Sequence, residues 1–118
     1  MNHHIFVAED NPELSELYIE ALQTVGHSVY SALDGAEAIN FLMEYDPPII
    51  ILDLGLPEIS GIDILNRLRN EMGRFEAKVI IITGRREMLQ CPQLALADAL
   101  LVKPIDIRDL LQTVRRLA

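Results

Sequence analysis

Cations are scarce in this chain: ten lysines and arginines stand against eighteen aspartates and glutamates, a formal net charge of -8 with a pI near 4.7. So acidic a domain does not hold nucleic acid by neutralising phosphates, and Arg85-Arg86 with Arg115-Arg116 are too few to reverse that. Arg115 and Arg116 fall instead where the last turn of a helix uses cations against its dipole. Cysteine is nearly absent too. The single Cys91 excludes an internal disulfide, and His3, His4 and His27 lack the spacing to build a zinc site with it. Both absences fit a reducing compartment, and His3-His4 reads as the solvated start of a strand. No apolar run approaches the roughly 18 residues of a membrane span, and the N-terminus lacks a basic, apolar and small-residue succession. A soluble, cytoplasmic protein with no membrane partner is therefore expected. Neither G-x-G-x-x-G nor G-x-x-x-x-G-K-[ST] occurs, so the usual phosphate-cradling loops of nucleotide enzymes are missing. No linker or repeat interrupts the 118 residues, half of which are apolar. That suits one domain over 1–118, burying about two thirds of the unfolded chain's surface.

What is present is four short apolar runs, each ending on a polar residue of a particular kind. HIFVA leads into Glu9-Asp10, PPIIIL into Asp53, KVIII into Thr83, and ALLV into Lys103-Pro104. The runs are rich in Ile, Val and Leu at consecutive positions, as strands buried on both faces are. A weaker fifth run, His27 to Ala32, only alternates, as an edge strand does. Between the runs the spacing turns helical: Leu14, Leu17, Tyr18, Ala21, Leu22 and Val25; Ile62, Leu65, Leu68 and Met72; Ile107, Leu110, Leu111, Val114 and Leu117. Alternating strands and helices predict an α/β fold, a (βα)5 doubly wound parallel sheet. In such a sheet the residues that follow each strand gather at the carboxyl edge, where ligands bind.

That edge would bring together Glu9, Asp10 and Asp53. Neighbouring strands are about 4.8 Å apart, so these carboxylates repel unless protonated or bridged by a cation. An all-oxygen set suits a hard divalent ion, Mg2+ or Mn2+, better than zinc. Lys103 and Thr83 add an ammonium and a hydroxyl able to contact phosphoryl oxygens, and Asp53 is then a candidate nucleophile forming an aspartyl phosphate. Each residue has a plainer use alone. Asp10 could cap a helix, although Asn11-Pro12 would serve as well and leave it free. Thr83 could be a β-favoured strand end, Lys103 a surface lysine, and Asp53 a turn former before Gly55 and Pro57. Their common placement at strand ends favours one site.

The chain resembles the receiver domains of two-component response regulators, and in particular the single-domain chemotaxis type. The resemblance is carried by Glu9-Asp10, by Asp53-Leu54-Gly55-Leu56-Pro57-Glu58-Ile59-Ser60-Gly61, by Thr83-Gly84 and by Lys103-Pro104. It implies a flavodoxin-like fold with strand order 2-1-3-4-5. It also implies that Asp53 accepts a phosphoryl group from a histidine kinase or a histidine phosphotransfer protein. Asp10, Asp53 and the Gly55 carbonyl would hold Mg2+, with Glu9 supporting the ion through water. Thr83, Lys103 and the Gly84 N–H would hold the phosphoryl oxygens, and the Lys103–Pro104 bond would be cis. Such a domain catalyses its own phosphorylation and slow dephosphorylation, with Gly55 and Arg85 placed to affect water access. Phosphorylation would shift the face formed by the fourth helix, fifth strand and fifth helix toward a downstream protein target, with a homodimer as one possible active form.

Two departures bear on that face. Leu100 stands where the family usually places Tyr or Phe. The segment from Thr83 to Lys103 is short and carries Cys91-Pro92, so the fourth helix should be shortened or irregular rather than a regular three-turn helix over 87–97. An ending at Ala118 fits either a stand-alone receiver or a domain of a larger regulator or hybrid kinase. Two other functions remain to be weighed: a degenerate receiver acting as a phosphorylation-independent interaction module, and an unrelated phosphate enzyme. The latter would lack the second Asp of a D-x-D motif, since Asp53-Leu54-Gly55 has glycine there.

Overall fold

A computed structural model describes residues 3–118. Five strands, β1 (His4–Ala8), β2 (Ser28–Ala32), β3 (Ile49–Asp53), β4 (Lys78–Thr83) and β5 (Ala99–Val102), form one parallel sheet in the order β2-β1-β3-β4-β5. The central β1, β3 and β4 are buried from end to end apart from His4 and Lys78, as their unbroken apolar runs require. Alternate side chains divide between two cores. Phe6, Ala8, Ile50, Leu52, Val79 and Ile81 face α2 (Gly35–Glu44) and α3 (Gly61–Asn66). Ile5, Val7, Ile49, Ile51, Ile80 and Ile82 face α1 (Pro12–Thr24) and α4 (Ile107–Leu117).

The weak alternating run is edge strand β2, as expected. The ALLV run is not buried on both faces: β5 is the opposite edge, and Leu100 is 39% exposed. Apolar continuity over four residues does not distinguish a central strand from an edge covered on one side. Leu17 in α1 and Val25 just after it likewise face outward, while Tyr18 and Leu22 enter the core. Helix α2, outside the three apolar spacings noted above, starts where Asp34 accepts the Glu37 N–H (2.8 Å) and buries Ala38, Ile39 and Leu42.

The spacing Ile62 to Met72 forms α helix only as far as Asn66. A wider π turn follows over Arg67–Glu71, with the Met72 N–H donating to the Arg67 carbonyl (2.8 Å). The extra residue in the turn goes with a buried cation. Arg69 is 4% exposed; its guanidinium donates to the carbonyls of Leu96 (3.0 Å), Arg74 (2.6 Å) and Ala77 (2.8 Å) and to Asp98 Oδ2 (3.0 Å). Between β4 and β5 there is no α helix. Two 3-10 turns, Arg86–Gln90 and Pro92–Leu96, meet at Cys91, whose extended backbone (ψ 120°) is what a residue before proline adopts. The expected irregularity of this segment is therefore present, and the last α helix is the fourth among the described residues.

Candidate functional site

Parallel register sets the site. Ala8 lies opposite Leu52, and Asp53 opposite Ile82, so Glu9, Asp53 and Thr83 emerge together at the carboxyl edge. The Glu9 N–H extends the ladder to the Ala32 carbonyl (3.2 Å), after which the chain turns into α1. Asn11 makes that turn: its side chain caps the N–H groups of Glu13 (2.9 Å) and Leu14 (3.2 Å). With Pro12 at the first helical position, Asp10 is left uncommitted and exposed. One carboxylate oxygen from each of Glu9, Asp10 and Asp53 lies within 4.8 Å of the others.

Lys103 reaches this group from the end of β5, where its N–H donates to the Thr83 carbonyl (2.8 Å) and its peptide bond to Pro104 is cis. The ammonium lies 2.9 Å from both Asp53 Oδ2 and Glu9 Oε1. Toward Asp53 the contact is a hydrogen bond; toward Glu9 it is a charge contact without hydrogen-bond alignment. Asp53 Oδ1 accepts the Gly55 N–H (2.8 Å), and Glu9 Oε2 accepts that of Asn11 (3.1 Å). Glu9 Oε1 is thus fully buried with no hydrogen-bond donor. An orphaned carboxylate oxygen beside two further carboxylates is a donor set that fits a hard divalent cation.

The electrostatics separate the two buried acids. Burial pushes the Glu9 carboxyl up to about 7, against the pull of Lys103, with nearby Asp53 adding to the rise. Burial would raise Asp53 too, but Glu9, the Gly55 N–H and Lys103 together hold it below the ordinary aspartate value. Lys103 is raised above the ordinary lysine value by Glu9 and Asp53 despite its burial. The two shifts run in opposite directions, so as pH rises Asp53 ionises before Glu9.

Thr83 is buried at the end of β4, its hydroxyl accepting the Arg85 N–H (3.0 Å). Gly84 passes beside Lys103, where a methyl group would lie 3.7 Å from the lysine stem. Gly61 had no role assigned from sequence, yet it sets the loop after Asp53. Capped by Ser60, α3 begins so close to β3 that a Cβ on Gly61 would strike the Asp53 carbonyl and Leu54 Cα. Its signs in the sequence were its place at the end of the stretch that carries the resemblance and the helix-capping serine before it.

The model of the response regulator receiver domain family matches residues 5–115. Among characterised relatives, the transcriptional regulatory protein KdpE of Mycobacterium tuberculosis is 34% identical, over 94% of this chain and 49% of its own length. The DNA-binding dual master transcriptional regulator RpaA of Synechocystis is 30% identical, over 96% and 48%. The chain therefore spans about half the length of these relatives. Response regulator TrrA of Thermotoga maritima, crystallised in complex with Mg2+-BeF, is 28% identical with a TM-score of 0.90, covering 98% of this chain and 99% of its own. TrrA in its complex with histidine kinase ThkA superposes with a TM-score of 0.86 at 29% identity, over 98% and 97%. Chemotaxis regulator CheY4 of Vibrio cholerae shares the fold across both full chains, with a TM-score of 0.90 at 22% identity. The sheet order, the converging strand ends and the family match agree: this chain belongs to the response regulator receiver domain family.

Proposed function

We propose that the chain is a single receiver unit that accepts a phosphoryl group on Asp53 in two-component signalling. The carrying observation is the state of Asp53: buried at the end of β3, held ionised, with one oxygen 2.9 Å from the Lys103 ammonium. Its carboxylate attacks phosphorus; the O–P bond forms as the P–N bond of a donor phosphohistidine breaks, and the imidazole leaves with the bond's electron pair. The donor is a histidine kinase or a histidine phosphotransfer protein, the reading that the ThkA–TrrA complex supports. Bound at Glu9, Asp10, Asp53 and the Gly55 carbonyl, Mg2+ would offset charge on the transferring oxygens, and Mn2+ has the same ligand preference. Lys103, released from part of its contact with Asp53, neutralises one phosphoryl oxygen, while the Thr83 hydroxyl and the Gly84 N–H donate to others.

Thr83 starts bonded to the Arg85 backbone, so recruiting it perturbs the first 3-10 turn and, through it, the surface toward β5 and α4. A downstream protein, or a second copy of the phosphorylated chain, reads that change. Two observations favour the alternative of a phosphorylation-independent binding module: the segment expected to switch holds two short turns, and Leu100 already faces outward. Incubation with a small-molecule phosphodonor and Mg2+, followed by intact-protein mass spectrometry, separates the two. The receiver gains one phosphoryl adduct that EDTA prevents; the constitutive module gains none.

A further inference from the structure

At the opposite end of the sheet from Asp53, rings collect. Four of the six Phe and Tyr residues, Phe6, Tyr30, Phe41 and Tyr45, lie together with His4. Ring centroids step from His4 to Tyr30 (5.9 Å), Tyr30 to Phe41 (5.7 Å) and Phe41 to Tyr45 (4.8 Å), with Phe6 under Phe41 (4.5 Å). Phe6 is buried, but Tyr30 and Tyr45 are 44% and 57% exposed. With Asp46, Pro47 and Pro48, the four outer rings line a half-open cavity of about 560 Å3. Arg74 donates to the Tyr45 carbonyl (2.8 Å) in the loop after α2, beside the cavity. Asp46, 3.7 Å from Arg74 Nε, keeps a 69% exposed side chain at the rim.

The same Tyr30 belongs to β2, an edge of the sheet. The Ser28 N–H and the Ala32 carbonyl bond toward β1 (3.0 and 3.2 Å), so by strand alternation the N–H and C=O groups of Val29 and Ser31 point away from the sheet. Unpaired edge groups beside a side-chain pocket are the two halves of strand-addition recognition, in which the backbone gives affinity and the pocket gives selectivity. Charge selects the occupant. Two copies paired at this edge would each bring a net charge of -8, whereas a cationic segment is attracted. Arginine suits the cavity, since its planar guanidinium stacks on Tyr and Phe faces and pairs with a carboxylate such as Asp46.

We propose that the β2 edge and its aromatic cavity bind an extended, arginine-bearing peptide segment of a partner protein by strand addition, independently of Asp53. The test is amide NMR titration with a capped hexapeptide of alternating arginine and valine. Expected shifts concentrate at residues 28–32 and 45–46. Two N-methylated forms of the peptide, one for each alternate set of amides, separate backbone pairing from charge: one of them should bind at least about tenfold more weakly. Tyr45→Ala should weaken the parent peptide by about threefold to fivefold while the rest of the spectrum stays native. A glutamate-for-arginine peptide should not bind. Equal binding of both methylated forms, equal binding by methylguanidinium alone, or shifts centred elsewhere would each overturn the proposal. So would shifts at 28–32 that depend on protein concentration without peptide, which would assign the edge to a second copy.

Discussion

Replacing Arg69 with methionine keeps the aliphatic stem in place and removes the guanidinium, with an expected loss of about 3–5 kcal/mol of folding stability. The magnitude follows from the acceptors left behind. The Ala77 carbonyl is reached through a buried hydrogen bond and would be left unsatisfied at about 1–3 kcal/mol. The Leu96 and Arg74 carbonyls are only partly buried, so water replaces much of what each loses, at about 1 kcal/mol apiece. Asp98 loses an ion pair but remains 28% exposed and still accepts the Val79 N–H (2.8 Å). Urea denaturation is the assay. With a slope of about 2 kcal/mol per molar, a 4 kcal/mol loss lowers the midpoint by roughly 2 M. Asp98→Asn, which keeps an acceptor, should cost about 1–2 kcal/mol, and Arg69→Lys should not rescue because an ammonium cannot span four acceptors. A midpoint shift below about 0.5 M for Arg69→Met, roughly 1 kcal/mol at that slope, would refute the view that this cation clamps the second 3-10 turn to the end of α3.

Gly61→Ala should cost at least about 2 kcal/mol, because its methyl group must displace the Asp53 and Leu54 backbone; urea melts measure the loss, and adduct formation at Asp53 should fall with it. Glu9, raised from 4.5 to about 7, binds more protons folded than unfolded between those values, so without divalent ion stability falls as pH rises through that window, by at most about 3 kcal/mol. Asp53, shifted the other way, titrates below the window, and Glu9→Gln should flatten the wild-type slope in urea melts from pH 5 to 8. Thr83→Ala should still form the adduct, yet lose the phosphorylation-dependent change in hydrogen exchange over residues 85–90, because no hydroxyl remains to leave Arg85.

Much of this was legible in the sequence because strand ends carry the chemistry. Consecutive Ile, Leu and Val at 49–52 and 79–82 marked strands buried on both faces, and parallel topology then forced Glu9, Asp53 and Thr83 to one edge. Asn11-Pro12 foretold the cap that frees Asp10, and Cys91-Pro92 foretold the broken segment before β5. Other features were silent for physical reasons. A buried arginine reads as a surface residue until tertiary contacts supply its acceptors, so Arg69 and the π turn that aims it left no periodic signal. The ALLV run misled because an edge strand with one covered face can be as apolar as a central one. The aromatic cluster joins residues 4, 6, 30, 41 and 45, and only the register of β1 with β2 and the seat of α2 unite them.

The claim that Asp53 is the phosphoryl acceptor is tested most directly by locating the modification. After incubation with a small-molecule phosphodonor and Mg2+, borohydride reduction converts an acyl phosphate to an alcohol, and peptide mass spectrometry reads the position. Homoserine is expected at position 53 in the wild type, at no other aspartate, and none in Asp53→Asn. Reduction at Asp10, or a persisting adduct in Asp53→Asn, would contradict it.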